Sequence, residues 1–122
     1  MKRKTFKEVD VDLNLTGTND WGIENSDAIR VKEFILYEKN NLLEKGVKSS
    51  FIDLIISSMN EAILENKVTN ELRLLFSEYL LNIEQTEYHL MLIAYWISIK
   101  DKIEFPVGYL IEELFDIKMN KP

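Results

Sequence analysis

The sequence predicts an all-α protein, a compact five-helix bundle carrying an N-terminal extended arm or short strand. Three observations lead there. Apolar residues recur at spacings of three and four over most of residues 26–117. Side chains suited to helix N-termini precede each periodic run, and Gly and Pro, the usual interrupters, number only 4 and 2 in 122 residues. The predicted links between successive helices are a few residues long, which forces neighbours to pack roughly antiparallel.

Taken in order, residues 8–15 (EVDVDLNL) alternate apolar and polar, with Val9, Val11, Leu13 and Leu15 on one side, and read as a strand or extended arm. Residues 16–22 (TGTNDWG) have turn chemistry. Ser26 or Asp27 can cap a first helix bearing Ala28, Ile29, Ile35, Leu36, Leu42 and Leu43, which Gly46 would stop. Ser49 or Ser50 caps a second, with Ile52, Ile55, Ile56, Met59 and Ile63 inward. Thr69 or Asn70 caps a third, striped by Leu72, Leu75, Phe76, Tyr79, Leu80 and Ile83, and Thr86 caps a fourth. Phe105-Pro106 opens a fifth with Leu110, Ile111, Leu114 and Phe115 inward, because Pro suits a first helical turn.

The fourth helix holds YHLMLIAYWISI (residues 88–99), in a chain that is otherwise 30% charged. Twelve residues are too few to span a bilayer, which takes about 20. Being apolar nearly all round, the helix is expected at the centre of the bundle, with a docking groove or dimer face as the alternative. One domain over 1–122 follows, divided into an arm and turn (1–25) and the helical bundle (26–117).

The chemistry for catalysis is sparse. There is no cysteine, so no disulfide or thiolate site is possible. The single histidine, His89, reads as structural, with one ring nitrogen hydrogen-bonded near a helix N-terminus. Asp10, Asp12 and Asn14 begin like a calcium loop, but Leu15 stands where glycine is needed and Trp21 where a bidentate Glu belongs. Glu61 and Glu65 share a helix face without the Glu-x-x-His partner of a di-iron bundle. No catalytic residue, metal ligand or cofactor is therefore assigned. A small enzyme using carboxylates is the weakest of the readings.

Charge is the most uneven property. Lys2, Arg3, Lys4 and Lys7 account for four of the 15 basic residues, leaving 11 against 21 acids from residue 8 onward. Such a body repels phosphate backbones, so direct nucleic-acid binding is not expected, and it attracts a basic protein. On the third helix Glu71, Leu74, Glu78 and Leu81 lie opposite the buried stripe, two leucines between two glutamates. On the second, Asp53, Ser57, Asn60 and Glu61 point away from the stripe and read as a solvated face. Trp21 either anchors the arm to the bundle or is offered to a partner. The candidate partner-binding residues are thus Asp53, Glu61, Glu71, Leu74, Glu78 and Trp21.

Small, acidic, cysteine-free and all-helical, the chain resembles, at the level of class, bacterial immunity and antitoxin proteins and phage-encoded inhibitors of host nucleases. No signature residue carries the likeness. It implies a cytoplasmic inhibitor that neutralises a basic toxin, a nuclease above all. MKRKTFKEVDVD, which has no apolar run behind its basic cluster, agrees with the cytoplasm and argues against a secretory signal. The alternative from another class is a structural or adaptor protein that homodimerises through the fourth helix. Monomer and homodimer both stay open.

Overall fold

The fold is taken from a computed structural model, which describes residues 2–17 and 19–120, with side chains as far as Asp116. Thr18, in the predicted turn, and both ends of the predicted domain lie outside the described residues. Among the described residues there are seven helices: α1 (Phe6–Leu13), α2 (Trp21–Glu24), α3 (Val31–Asn40), α4 (Lys45–Leu64), α5 (Asn70–Leu81), α6 (Glu87–Ser98) and α7 (Val107–Asn120). The class is all-α, as the sequence predicts, but two short helices replace the arm.

The predicted strand at 8–15 is corrected by α1. Thr5 and Glu8 form a capping box, each side chain serving the other's backbone N–H. Asn14 closes the helix in the left-handed conformation, at φ 56°. Val9 and Leu13, four apart, are buried while Val11 between them is 76% exposed. The alternation contained a helical pair, and the Thr-x-x-Glu signal beside it decides the conformation. Strand-like pairing occurs instead at Lys4, whose N–H donates to Leu42 O (2.8 Å) and whose carbonyl accepts from Glu44 N (3.0 Å). That pairing takes residues 42–44 out of the first predicted helix. Gly46 accordingly lies in the first turn of α4 and stops nothing.

The N-terminal ends of α3 and α5 are tied by Lys32 and Glu71 (3.2 Å), and their C-terminal halves line one cavity, so these two lie parallel. The sequence expectation for the centre is overturned. The central helix is α4, in which Phe51, Ile52, Leu54, Ile55, Ile56, Met59 and Ala62 are all fully buried. Its supposedly solvated face is covered too: Ser57, Ser58 and Asn60 are buried, while Asp53 and Glu61 are half-buried. Two of these buried polar side chains are satisfied by partners far along the chain. Ser58 Oγ accepts from Asp27 N (3.0 Å), and Asn60 donates to Glu104 O (2.9 Å) while accepting from Val107 N (3.1 Å). Close approach is helped by glycine at two places. A Cβ on Gly22 would stand 2.8 Å from Asp53 Oδ2, and one on Gly108 2.6 Å from Trp96 O.

Helix α6, expected at the centre, lies on the outside. Only His89, Ile93 and Trp96 are buried. Tyr88, Met91 and Tyr95 face solvent, at 64, 64 and 56% exposure. A 20-residue helix offers more surface to its neighbours than a 12-residue one, and α4 carries apolar or small residues on every side. The shorter α6 therefore covers α4 and not the reverse.

Candidate functional site

Three features of the surface invite function. The first is the predicted one. Thr69 caps α5 by accepting from Leu72 N (3.1 Å), which fixes the helix register. With Phe76 and Leu80 turned inward, Glu71, Leu74 and Glu78 fall outside together, and Leu74 is 66% exposed. Leu81, expected on the same side, is half-buried.

The other predicted residues do not join them. Trp21 is in the core at 6% exposure, its ring edge-on to Phe6 (5.4 Å) and its Nε1 donating to Asp10 Oδ1 (2.7 Å). This is the anchoring role, and it withdraws the indole from the surface. Asp53 accepts a hydrogen bond from Trp96 Nε1 (2.8 Å), joining α4 to α6. Burial raises the Asp53 carboxyl above its ordinary range, and the indole N–H offsets part of that. Its oxygens serve the packing of the bundle. Glu61 lines a shallow depression with Ser26, Asp27, Ala28 and Lys67, away from the α5 face.

The second feature is the outer face of α6. Thr86 caps the helix by accepting from His89 N (3.1 Å). The buried imidazole packs beneath, with Nδ1 2.7 Å from Glu84 O, the structural arrangement that the sequence predicts. These contacts set the rotation of α6 so that Tyr88, Met91 and Tyr95 form an outward stripe at spacings of three and four. Leu90 flanks it at 44% exposure. No residue from Tyr88 to Ile99 is acidic or a lysine or arginine, and exposed Glu84 and Glu87 precede the stripe. In the sequence this face stands only as the alternative to a central position, a docking groove or dimer face, because both stripes of α6 are apolar. The signal that could have found it is the pair of tyrosines at 88 and 95, whose polar tips suit an exposed side better than the Ile93 and Trp96 side does.

The third is a cavity of about 760 Å³ between the C-terminal halves of α3 and α5. Glu38 and Tyr79 lie in its wall. Burial raises the Glu38 carboxyl, and the neighbouring Tyr79 hydroxyl, Lys48 and His89 act against that shift. The Tyr79 hydroxyl is raised well above its usual range by burial and by Glu38. The two groups influence one another, yet neither Glu38 Oε1 nor Tyr79 Oη completes a hydrogen bond of ordinary geometry. No sequence pattern pointed to this pair, since it depends on two helices separated by α4 coming together.

Among the described residues no group of three His, Cys, Asp or Glu side chains could hold a metal ion, and no helix is long and apolar enough to cross a membrane. No protein-family model, curated protein or solved structure matches the chain.

Proposed function

We propose that the chain is a non-catalytic binding protein that neutralises a basic protein partner, a toxin nuclease being the kind that fits. The observation that carries this reading is the outer stripe of α6. Tyr88, Met91 and Tyr95 expose aromatic and thioether surface on one short helix, and such residues are enriched at the centres of protein interfaces. A standard interface covers about 800 Å² per partner. The stripe would form its apolar centre, with Glu84 and Glu87 on the rim. The choice of a basic partner rests on the net charge of −6, which speeds encounter with a cation-rich surface such as a nuclease's phosphate-binding groove. Glu71 and Glu78 on α5 contribute to that steering field.

The test is a titration of the purified chain against basic nucleases encoded by adjoining genes, with nuclease activity as the readout. Inhibition that disappears in Met91→Lys/Tyr95→Lys, while thermal unfolding is unchanged, supports the reading. Full inhibition by that variant would sink the α6 face, and no binding to any basic neighbour at micromolar concentration would sink the inhibitor. A second reading is favoured by the same stripe: uncharged and helical, it could pair with itself in a homodimer. Sedimentation separates the two, because a monomer at micromolar concentration excludes the dimer as the working form.

A further inference from the structure

The α3–α5 cavity has a composition that neither packing nor the α6 face explains. Its volume of about 760 Å³ lies within the range of roughly 300–1,000 Å³ common for small-molecule sites. One part of its wall is apolar, formed by Ile35, Leu43, Leu75 and Ile83. The rest is charged in both senses: Glu38, Glu78 and Glu84 against Arg3, Lys39 and Lys48. Among the described residues, no ion pair within 4 Å joins two of these six.

The charges are also placed with direction. Parallel α3 and α5 bring two helix C-terminal ends, at Asn40 and Leu81, to the same cavity, and such ends carry partial negative charge. Glu38 stands there, with Oε1 withdrawn from solvent beside the buried Tyr79 hydroxyl; the two interact with each other without a hydrogen bond of ordinary geometry, and neither has another partner at these atoms. That corner favours a cation. Arg3, held by its bond from Nη1 to Leu43 O (3.2 Å), and Lys48 on α4 supply the opposite pole.

We propose that this cavity binds a short apolar peptide in its zwitterionic form, the ammonium group at Glu38 and Tyr79, the carboxylate at Lys48 and Arg3, and the side chains against Ile35, Leu43, Leu75 and Ile83. A free peptide carries both charges at once. A chain terminus of a protein carries one, so the two sources are distinguishable. The cavity shares Glu84 with the rim of the α6 face, but the groups assigned to the peptide, Glu38, Tyr79, Lys48 and Arg3, lie outside that face, so neither proposal depends on the other.

The experiment uses the full chain and leucyl-leucine, with N-acetyl-leucyl-leucine and leucyl-leucinamide as companions, followed by calorimetry and by amide chemical shifts. Leucyl-leucine is expected to bind with millimolar affinity or better and to move the resonances of Leu75, Tyr79 and Ile83. Blocking either end should weaken binding about tenfold or more, since each block removes one charge-assisted contact. Glu38→Gln should match the loss seen on acetylation, and Lys48→Met the loss seen on amidation. Equal binding of all three peptides, equal binding by Glu38→Gln, or shifts confined to other surfaces would overturn the proposal. Equal binding of leucyl-leucinamide alone would likewise overturn it, in favour of a peptide N-terminus as the recognised group. Should Glu38→Gln fail to fold, the three peptides on the native chain still decide.

Discussion

Asn60 offers the sharpest test of how the bundle is held together. Its side chain, on the central helix, reaches across to the start of α7, where it donates to Glu104 O (2.9 Å) and accepts from Val107 N (3.1 Å). Replacing it by Ala removes two hydrogen bonds, each worth about 0.5–1.5 kcal/mol net, and strands a buried donor at the first residue of α7, which adds about 1–3 kcal/mol. The loss is about 2–6 kcal/mol, and about 3 kcal/mol is taken as the working value because part of the penalty is relieved by local relaxation around Val107 N. With an unfolding entropy of about 2.1 cal/mol/K per residue, a chain of 122 residues loses roughly 10 °C in Tm for that destabilisation. Urea unfolding followed by circular dichroism measures it directly. Ser77→Ala is the control, deleting an exposed bond to Arg73 O (2.7 Å) and expected to change stability by less than about 0.5 kcal/mol. If Asn60→Ala loses under about 1 kcal/mol, or no more than Ser77→Ala, then Asn60 does not cap α7 and the account of the α4–α7 junction is wrong.

Three further predictions follow from the packing. Gly108→Ala places a methyl group against the backbone of α6, 2.6 Å from Trp96 O, and should destabilise by about 1–3 kcal/mol or more, read from the same urea curves. Ile93→Ala should lose about 2–5 kcal/mol, whereas Met91→Ala, two residues earlier on the same helix, should lose less than about 0.5 kcal/mol; similar losses at both positions would refute the outward placement of Met91. Asp53→Asn keeps an oxygen for Trp96 Nε1 and removes a carboxylate whose pKa is raised by burial. A raised folded pKa means that stability is greatest below the unfolded value and is lost as pH rises through the folded one. The variant should therefore be more stable than the parent at pH 7, with the advantage fading as pH falls toward the ordinary value of 3.8; an advantage independent of pH would count against the titration.

Caps and stripes made much of this fold legible. Thr69 and Thr86 cap α5 and α6 where the sequence places them, and Phe76, Leu80 and Ile111 are buried as their spacing requires. Residues 8–15 misled because a period of two contains an i, i+4 pair, and the deciding signal, Thr5 with Glu8, stood just outside the window. The site was less legible. Glu71, Leu74 and Glu78 do share one exposed side of α5, since rotation about a single capped helix is a local matter. Trp21 and Asp53 went elsewhere because their partners, Asp10 and Trp96, lie 11 and 43 residues away.

By itself the sequence determined what is local or additive: the all-α class, the starts of α5, α6 and α7, the acidic charge and the absence of thiol chemistry. The caps expected at Ser26 or Asp27 and at Ser49 or Ser50 gave way to starts at Val31 and Lys45, set by tertiary contacts. Tertiary structure alone decided which helix occupies the centre, because α4 and α6 both have more than one apolar face and only the packing of all the others selects between them. It also decided that Glu38 meets Tyr79 and that Tyr88, Met91 and Tyr95 remain outside. Those outcomes depend on relative helix orientation, which arises from contacts far apart in the chain and leaves no periodic trace within any one segment.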